Sequence, residues 1–123
     1  MARHFADGVT PVTLARAPGL TFNQKDRLQA SWIREALGED VSYPTHWLPS
    51  TDGFVKASLA GMGWGLNPVQ LVGEHLEAGR LVEVVPGTPL DIPLYWQVNR
   101  LAADRLGALT SHMVETARAV LLR

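Results

Sequence analysis

Apolar and polar positions along this chain switch repeatedly between a helical and an extended rhythm. Leu28, Trp32, Ile33, Ala36 and Leu37 fall on one face of a helix running from near Asp26 through Leu37, with Gly38 as its stop. Phe54, Val55 and Leu59 make a second such face behind the capping oxygens of Ser50, Thr51 and Asp52, closed by Gly61. Val69, Val72, His75 and Leu76 mark a third, from Pro68 to Ala78. Asn67 is its expected cap, Pro68 takes the first position, where a missing N–H is harmless, and Gly79 ends it. From Ala102 onward, Leu106, Leu109, Met113, Ala117 and Val120 repeat at helical spacing and predict a long amphipathic C-terminal helix. Near the start, Thr10-Pro11 predicts a short capped helical turn, closed by Pro18-Gly19.

Short apolar or β-branched runs lie between these faces. Residues 20–22, 41–48, 64–66, 81–85 and 92–98 read as strands, with Pro93 suited to a strand start or edge. Five strands alternating with helices predict an α/β lobe, mainly parallel, with helices on both faces. Crossover connections of that kind set the ends of 20–22 and 46–48 side by side at one sheet edge. Gly63 and Gly65 flank Trp64, so the backbone there can pass close to a neighbouring element or a ligand.

A length of 123 residues fits one domain with a modest core, and a net charge of −1 leaves no electrostatic footprint for nucleic acid or an anionic membrane. There is no cysteine, which fits a reducing compartment, and no apolar run approaches the roughly 18 residues of a membrane span. The first seven residues, Met1-Ala-Arg-His-Phe-Ala-Asp7, are too polar for a signal peptide, so a cytoplasmic protein without a membrane partner is expected.

Catalytic chemistry is hard to find. Gly61-Met-Gly-Trp-Gly65 follows a helix and leads into a strand, the reverse of a dinucleotide-binding fingerprint, so it reads as a helix stop with tight packing. His4, His46, His75 and His112 lack metal-ligand spacing, and no G-x-S-x-G elbow or cysteine nucleophile exists. Glu39-Asp40, Glu74 and Glu77 read as solvated surface. No catalytic residue, metal site or cofactor is expected. A small α/β enzyme using the same sheet edge is the rival reading, weakened by these absences.

Two features stand apart. Phe22-Asn-Gln-Lys-Asp-Arg27 is a polar cluster just past a buried strand and at a helix start, where free N–H groups favour an anion such as a carboxylate. Plain capping by Asn23 or Asp26 explains it equally well. His46-Trp-Leu-Pro-Ser50 also lies at a strand's carboxyl end; Trp47 there serves either as a core anchor or as a face for a cationic group. The pattern describes a sensor more than a reactor.

With these features the chain resembles the effector-sensing domain of LysR-type transcriptional regulators, in the ArgP/LysG branch that responds to lysine and arginine and controls export of basic amino acids. The resemblance runs through Ala2-Arg-His-Phe-Ala-Asp-Gly-Val-Thr10, Leu20-Thr-Phe-Asn-Gln-Lys-Asp-Arg-Leu-Gln29 and Pro44-Thr-His-Trp-Leu-Pro-Ser50. It continues through Gly53–Pro68 and from Ala78 to Trp96, nearly the whole chain in order. It implies a periplasmic-binding-protein-like (type 2) lobe: residues 1–93 as the second lobe of the sensor, and 94–123 as a returning strand and C-terminal helix belonging to the first. The DNA-binding helix-turn-helix is then absent from this piece. It further implies that L-lysine or L-arginine binds between the lobes, against Phe22, Asn23, Asp26, Trp47, Leu48, Pro49 and Ser50. Promoter DNA and RNA polymerase would be partners of the parent protein, which is expected to be a homo-oligomer. A solute-binding protein of amino acid transport, which shares the fold, is the alternative.

Overall fold

The computed structural model describes residues 2–121, which divide after Leu90 into two compact units. The first unit opens with a 3-10 turn, Ala2–Phe5, and a short helix α1, Pro11–Leu14. Thr10 caps α1: its hydroxyl accepts from the Thr13 N–H, and the Thr13 hydroxyl oxygen accepts in return from the Thr10 N–H at 2.8 Å. There follow β1 (Gly19–Thr21), α2 (Leu28–Leu37), β2 (Thr45–Trp47), α3 (Thr51–Leu59) and α4 (Val69–Glu77).

β1 and β2 pair in parallel, Gly19 opposite Thr45, Leu20 opposite His46 and Thr21 opposite Trp47. On the other side of β1, Trp64 forms a single parallel bridge with Gly19; its N–H donates to the Pro18 carbonyl and its carbonyl accepts from the Leu20 N–H. The chain thus crosses from β1 to β2 in one direction and from β2 back past β1 in the other. Right-handed connections that reverse direction set α2 and α3 on opposite faces of the sheet, and the packing agrees. On one face Leu14, Ala17, Trp32, Ile33 and Trp64 form one buried cluster; on the other, Leu20 packs with Phe54 and Ala57. Trp32 and Trp64 stack tilted with centroids 5.6 Å apart, and the Trp64 indole donates to the Ala17 carbonyl.

Gly63 and Gly65 carry the close approach expected of them, and the neighbour is the protein itself. A Cβ on Gly65 would sit 2.8 Å from the Phe54 ring, and one on Gly63 would sit 2.9 Å from the Pro18 carbonyl oxygen. Gly38, Gly61 and Gly79 all take positive φ at the ends of their helices.

The sheet is smaller than the five strands expected. The run 41–48 is a strand only at Thr45–Trp47, because Pro44 has no N–H and joins the ladder through its carbonyl alone, which accepts from Gly19 at 2.8 Å. Residues 64–66 contribute one bridge. Residues 81–85 and 92–98 are not strands: neither run has a ladder partner, the Leu81 N–H closing back onto the His75 carbonyl at the end of α4, and β-branched content makes a strand only where a partner is present. Within the first unit, the segment after α4 is instead held to α2 by the Trp32 indole, which donates to the Thr88 carbonyl at 2.9 Å. Asn67 does not cap α4. Pro68, with ψ 133, occupies the capping position, and the Asn67 amide donates to the Ser58 hydroxyl. Leu28, Leu59 and Val69, read as inward-facing, are exposed; Ala57 and Gln29 are buried in their helices instead.

The second unit, from Asp91, holds a 3-10 turn at Arg100–Ala102 and the helix α5, Gly107–Val120. The long helix starts later than Ala102 because Asn99 caps the 3-10 turn first, its side-chain oxygen accepting from the Leu101 N–H at 2.8 Å. Among the described residues no helix is long and apolar enough to cross a membrane.

Candidate effector edge

The parallel pairing places the two singled-out loops together. β1 and β2 end level, and the Leu48 N–H donates to the Thr21 carbonyl at 3.0 Å, so the chain leaves both strands at the same carboxyl edge. Phe22 follows β1 directly and is 39% exposed; it is not the buried strand residue expected from the sequence. Trp47, the last residue of β2, is 53% exposed, which decides against a core anchor and leaves its ring free for contact.

The polar residues of the first loop are mostly occupied in holding it. Asp26 spends one carboxylate oxygen on the Phe22 N–H and the other on the Leu28 N–H, both at 3.0 Å. The Asn23 side-chain oxygen accepts from the N–H groups of Lys25 and Asp26. Capping therefore accounts for Asp26 and for half of Asn23. Asn23 is exposed, and its amide nitrogen has no hydrogen-bond partner among the described residues. In the second loop Ser50 caps α3 by accepting from the Gly53 N–H at 3.1 Å, which leaves its hydroxyl hydrogen to donate elsewhere. The Ser50 N–H turns back to the Leu48 carbonyl across exposed Pro49, and the Leu48 side chain packs against Leu20, Phe54 and Ala57 rather than outward.

α2 and α3 both begin on this edge, so the first-turn N–H groups that remain after Asp26 takes Leu28 and Ser50 takes Gly53, and the positive ends of two helix dipoles, lie on the carboxyl side of the sheet. That suits a carboxylate, while the Trp47 and Phe22 rings suit a hydrocarbon stem or a cation. A groove of about 240 Å³ lies elsewhere, bordered by Trp32, Glu35 and residues 87–89, and one of about 360 Å³ lies between α3 and α4, at Thr51, Asp52, Val55 and Leu71. An open shelf is one wall of a cleft, not a whole site. Among the described residues no group of three His, Cys, Asp or Glu could hold a metal ion.

The sequence reading missed three polar residues near this edge: Thr21, Gln29 and Tyr43. Tyr43 packs on Trp64 with centroids 5.0 Å apart. Burial raises its phenol pKa, the nearby Thr21 hydroxyl opposes that, and the negative charge of Asp26 reinforces it. Thr21 lies close to Tyr43 yet its oxygen is without a partner in hydrogen-bonding geometry.

No protein-family model matches the chain. Its structure superposes on the C-terminal domains of a LysR family protein from Agrobacterium tumefaciens with a TM-score of 0.96 and 88% identity, covering 99% of this chain and 59% of that one. The HTH-type transcriptional regulator ArgP of Pseudomonas fluorescens is 42% identical over 113 residues, 92% of this chain and 38% of that protein. Full-length LysG from Corynebacterium glutamicum, solved with bound effector Arg, matches 85% of this chain and 35% of that one, with 34% identity and a TM-score of 0.68. These relatives are regulators, not enzymes, and the chain spans about two-fifths of the length of the curated ones. Over nearly its whole length the chain is similar to part of the LysR-type transcriptional regulators ArgP and LysG.

Proposed function

We propose that this chain is part of the effector-sensing domain of a LysR-type DNA-binding regulator and forms one wall of a cleft that takes L-lysine or L-arginine. Residues 1–93 serve as the second lobe of a periplasmic-binding-protein-like (type 2) sensor, and 94–123 belong with the first lobe. The observation that carries this reading is the level ending of β1 and β2 at one edge, with Trp47 and Phe22 exposed and two helix N-termini beside them. The N–H groups there and the Asn23 amide hold the effector carboxylate, and the Ser50 hydroxyl donates to it. The Trp47 ring covers the cationic side chain. Asp26, Leu48 and Pro49 act by shaping the two loops.

No bond is made or broken in such a site. The effector changes transcription because it binds one arrangement of the lobes better than another and shifts their populations. Promoter DNA and RNA polymerase are contacted by the rest of a cytoplasmic, homo-oligomeric parent.

Amide chemical-shift mapping of this chain against L-arginine, L-lysine and L-leucine tests the reading. One wall alone forfeits half of the contacts, so weak binding in the millimolar range is expected. Shifts from the basic amino acids should concentrate at 22–26 and 47–53. Equal shifts with leucine, or shifts centred on another face, would contradict it.

A further inference from the structure

The carboxyl edge has a third chain exit. Trp64 pairs in parallel with Gly19, so the chain leaves residues 64–66 in the same direction as it leaves β1 and β2, and α4 begins just beyond. The Asn67 amide donates to the Ser58 hydroxyl and ties this exit to α3. The groove of about 360 Å³ between the two helices is bordered by Thr51, Asp52 and Val55 near the start of α3 and by Leu71 near the start of α4. It therefore opens on the edge that carries Trp47 and Ser50. Its volume falls within the range of small-molecule sites, about 300–1,000 Å³.

The lining combines two chemistries. Val55 and Leu71 are apolar and partly in water, so a hydrocarbon stem laid between them removes apolar surface from solvent. Asp52 adds a carboxylate beside them. Asp26, the acid of the neighbouring loop, has both oxygens on the backbone N–H groups of Phe22 and Leu28; the Asp52 carboxylate instead holds a side-chain cation. That cation comes from the helix itself: Lys56 Nζ donates to Asp52 Oδ2 at 2.7 Å, one turn on. Both side chains lie mostly in water, so the pair is screened and readily exchanged for another cation. An acid beside an apolar slot, already holding an ammonium on a four-carbon stem, suits a long side chain that ends in positive charge.

We infer that Asp52 selects for a basic amino acid: the effector lays its hydrocarbon stem between Val55 and Leu71, and its cationic head takes the place of Lys56 on the Asp52 carboxylate. The inference rests on the effector reading above and extends it. Trp47 covers the side chain as it leaves the shelf, and Asp52 holds the charge at its end. Lys56 is then a resident competitor for the same acid, so its removal strengthens binding while removal of Asp52 weakens it. A neutral head of equal length gives Asp52 no charge to bind in place of Lys56.

L-Citrulline has the length of arginine and a neutral head, so it separates charge from shape. In NMR titrations of this chain, L-arginine and L-lysine should shift the methyl resonances of Val55 and Leu71 and the side-chain resonances of Lys56. L-Citrulline should bind about tenfold more weakly than L-arginine. In Asp52→Asn that preference should fall below about twofold, through loss of arginine affinity alone. Lys56→Gln should tighten arginine about two- to threefold, and Lys56→Arg, which keeps a competing cation, should leave it at the wild-type value. Opposite signs at the two partners are a readout that a merely structural ion pair would not give. Lys56→Gln that weakens arginine as Asp52→Asn does would overturn the inference. So would arginine shifts confined to 22–26 and 47–50 with an affinity indifferent to both substitutions, a result that leaves the effector reading standing. Arginine and lysine that shift no residue of this edge would remove both.

Discussion

Thr21 stands opposite Trp47 at the last rung of the parallel pair, and the next N–H of β2, that of Leu48, closes onto the Thr21 carbonyl at 3.0 Å. This rung makes neighbours of two loops that are distant in sequence. A parallel pair sends both chain exits to one edge, where the helices that follow also begin, so a ligand shelf arises from topology before any side chain is chosen. Side chains then differentiate it. Trp47 and Phe22 stay exposed, Asp26 turns inward to hold backbone, and Leu48 turns into the core.

The tight crossing at Gly63 is expected to tolerate no side chain. A Cβ there would meet the Leu20 side chain at 2.8 Å and the Pro18 carbonyl at 2.9 Å, and that carbonyl is fixed by the Trp64 N–H. Gly63→Ala should lower stability by about 1–3 kcal/mol. Gly73→Ala, within α4 and with nothing near the new Cβ, should raise it by up to about 1 kcal/mol. Thermal denaturation of the two variants compares them directly, and a neutral Gly63→Ala would show that the crossing is looser than described.

Asp26 is expected to act as a clamp for the loop. Asp26→Ala releases the N–H groups of Phe22 and Leu28 and should lower stability by about 1 kcal/mol. Hydrogen exchange at those two amides should accelerate more than at neighbouring positions in α2. Unchanged protection there would assign Asp26 to some other task.

The elements most readable from the sequence were those fixed by local chemistry. Thr10-Pro11, Gly38, Ser50, Gly61 and Gly79 mark caps and stops that depend on their own backbone angles and side-chain oxygens, and each stands where it was read. What depends on a partner was not readable. The runs 81–85 and 92–98 have strand composition but no strand beside them. Asn67 has a capping side chain, yet Pro68 takes the cap and Asn67 bonds Ser58 instead. At the candidate edge, the strand ends and their adjacency were legible from element order. Whether Trp47 faced core or solvent was not, since one strand cannot reveal which of its faces is covered. The buried polarity of Thr21 and Gln29 had no sequence signal, because both types are ordinary at exposed positions.

Alkaline pH should weaken the core through Tyr43. Burial, the main cause, lifts its pKa above the ordinary 10.0, so the folded state holds the phenol proton more firmly than the unfolded state. The stabilisation is complete below the unfolded value and is lost as pH rises through the folded one. Urea unfolding at about pH 8 and about pH 11 should show a drop in stability that is smaller in Tyr43→Phe than in the wild type. An equal drop in both would place the phenol in water.

α5 should drive self-association. Leu109, Met113 and Val120 repeat along one stripe of it and are exposed, and contiguous apolar surface of this kind seldom stays in water. Light scattering should report a rise in mass with concentration that Leu109→Asp abolishes. A wild type that stays monomeric throughout would contradict this.

Calorimetric titration of L-arginine, L-lysine and L-leucine into the parent protein proposed above, with and without Trp47→Ala, tests the sensor reading most directly. Saturable binding of a basic amino acid is predicted, absent for leucine and weakened about tenfold by Trp47→Ala, with Tm nearly unchanged because the ring is half exposed. Leucine binding as tight as arginine or lysine, or an affinity indifferent to Trp47, would contradict it.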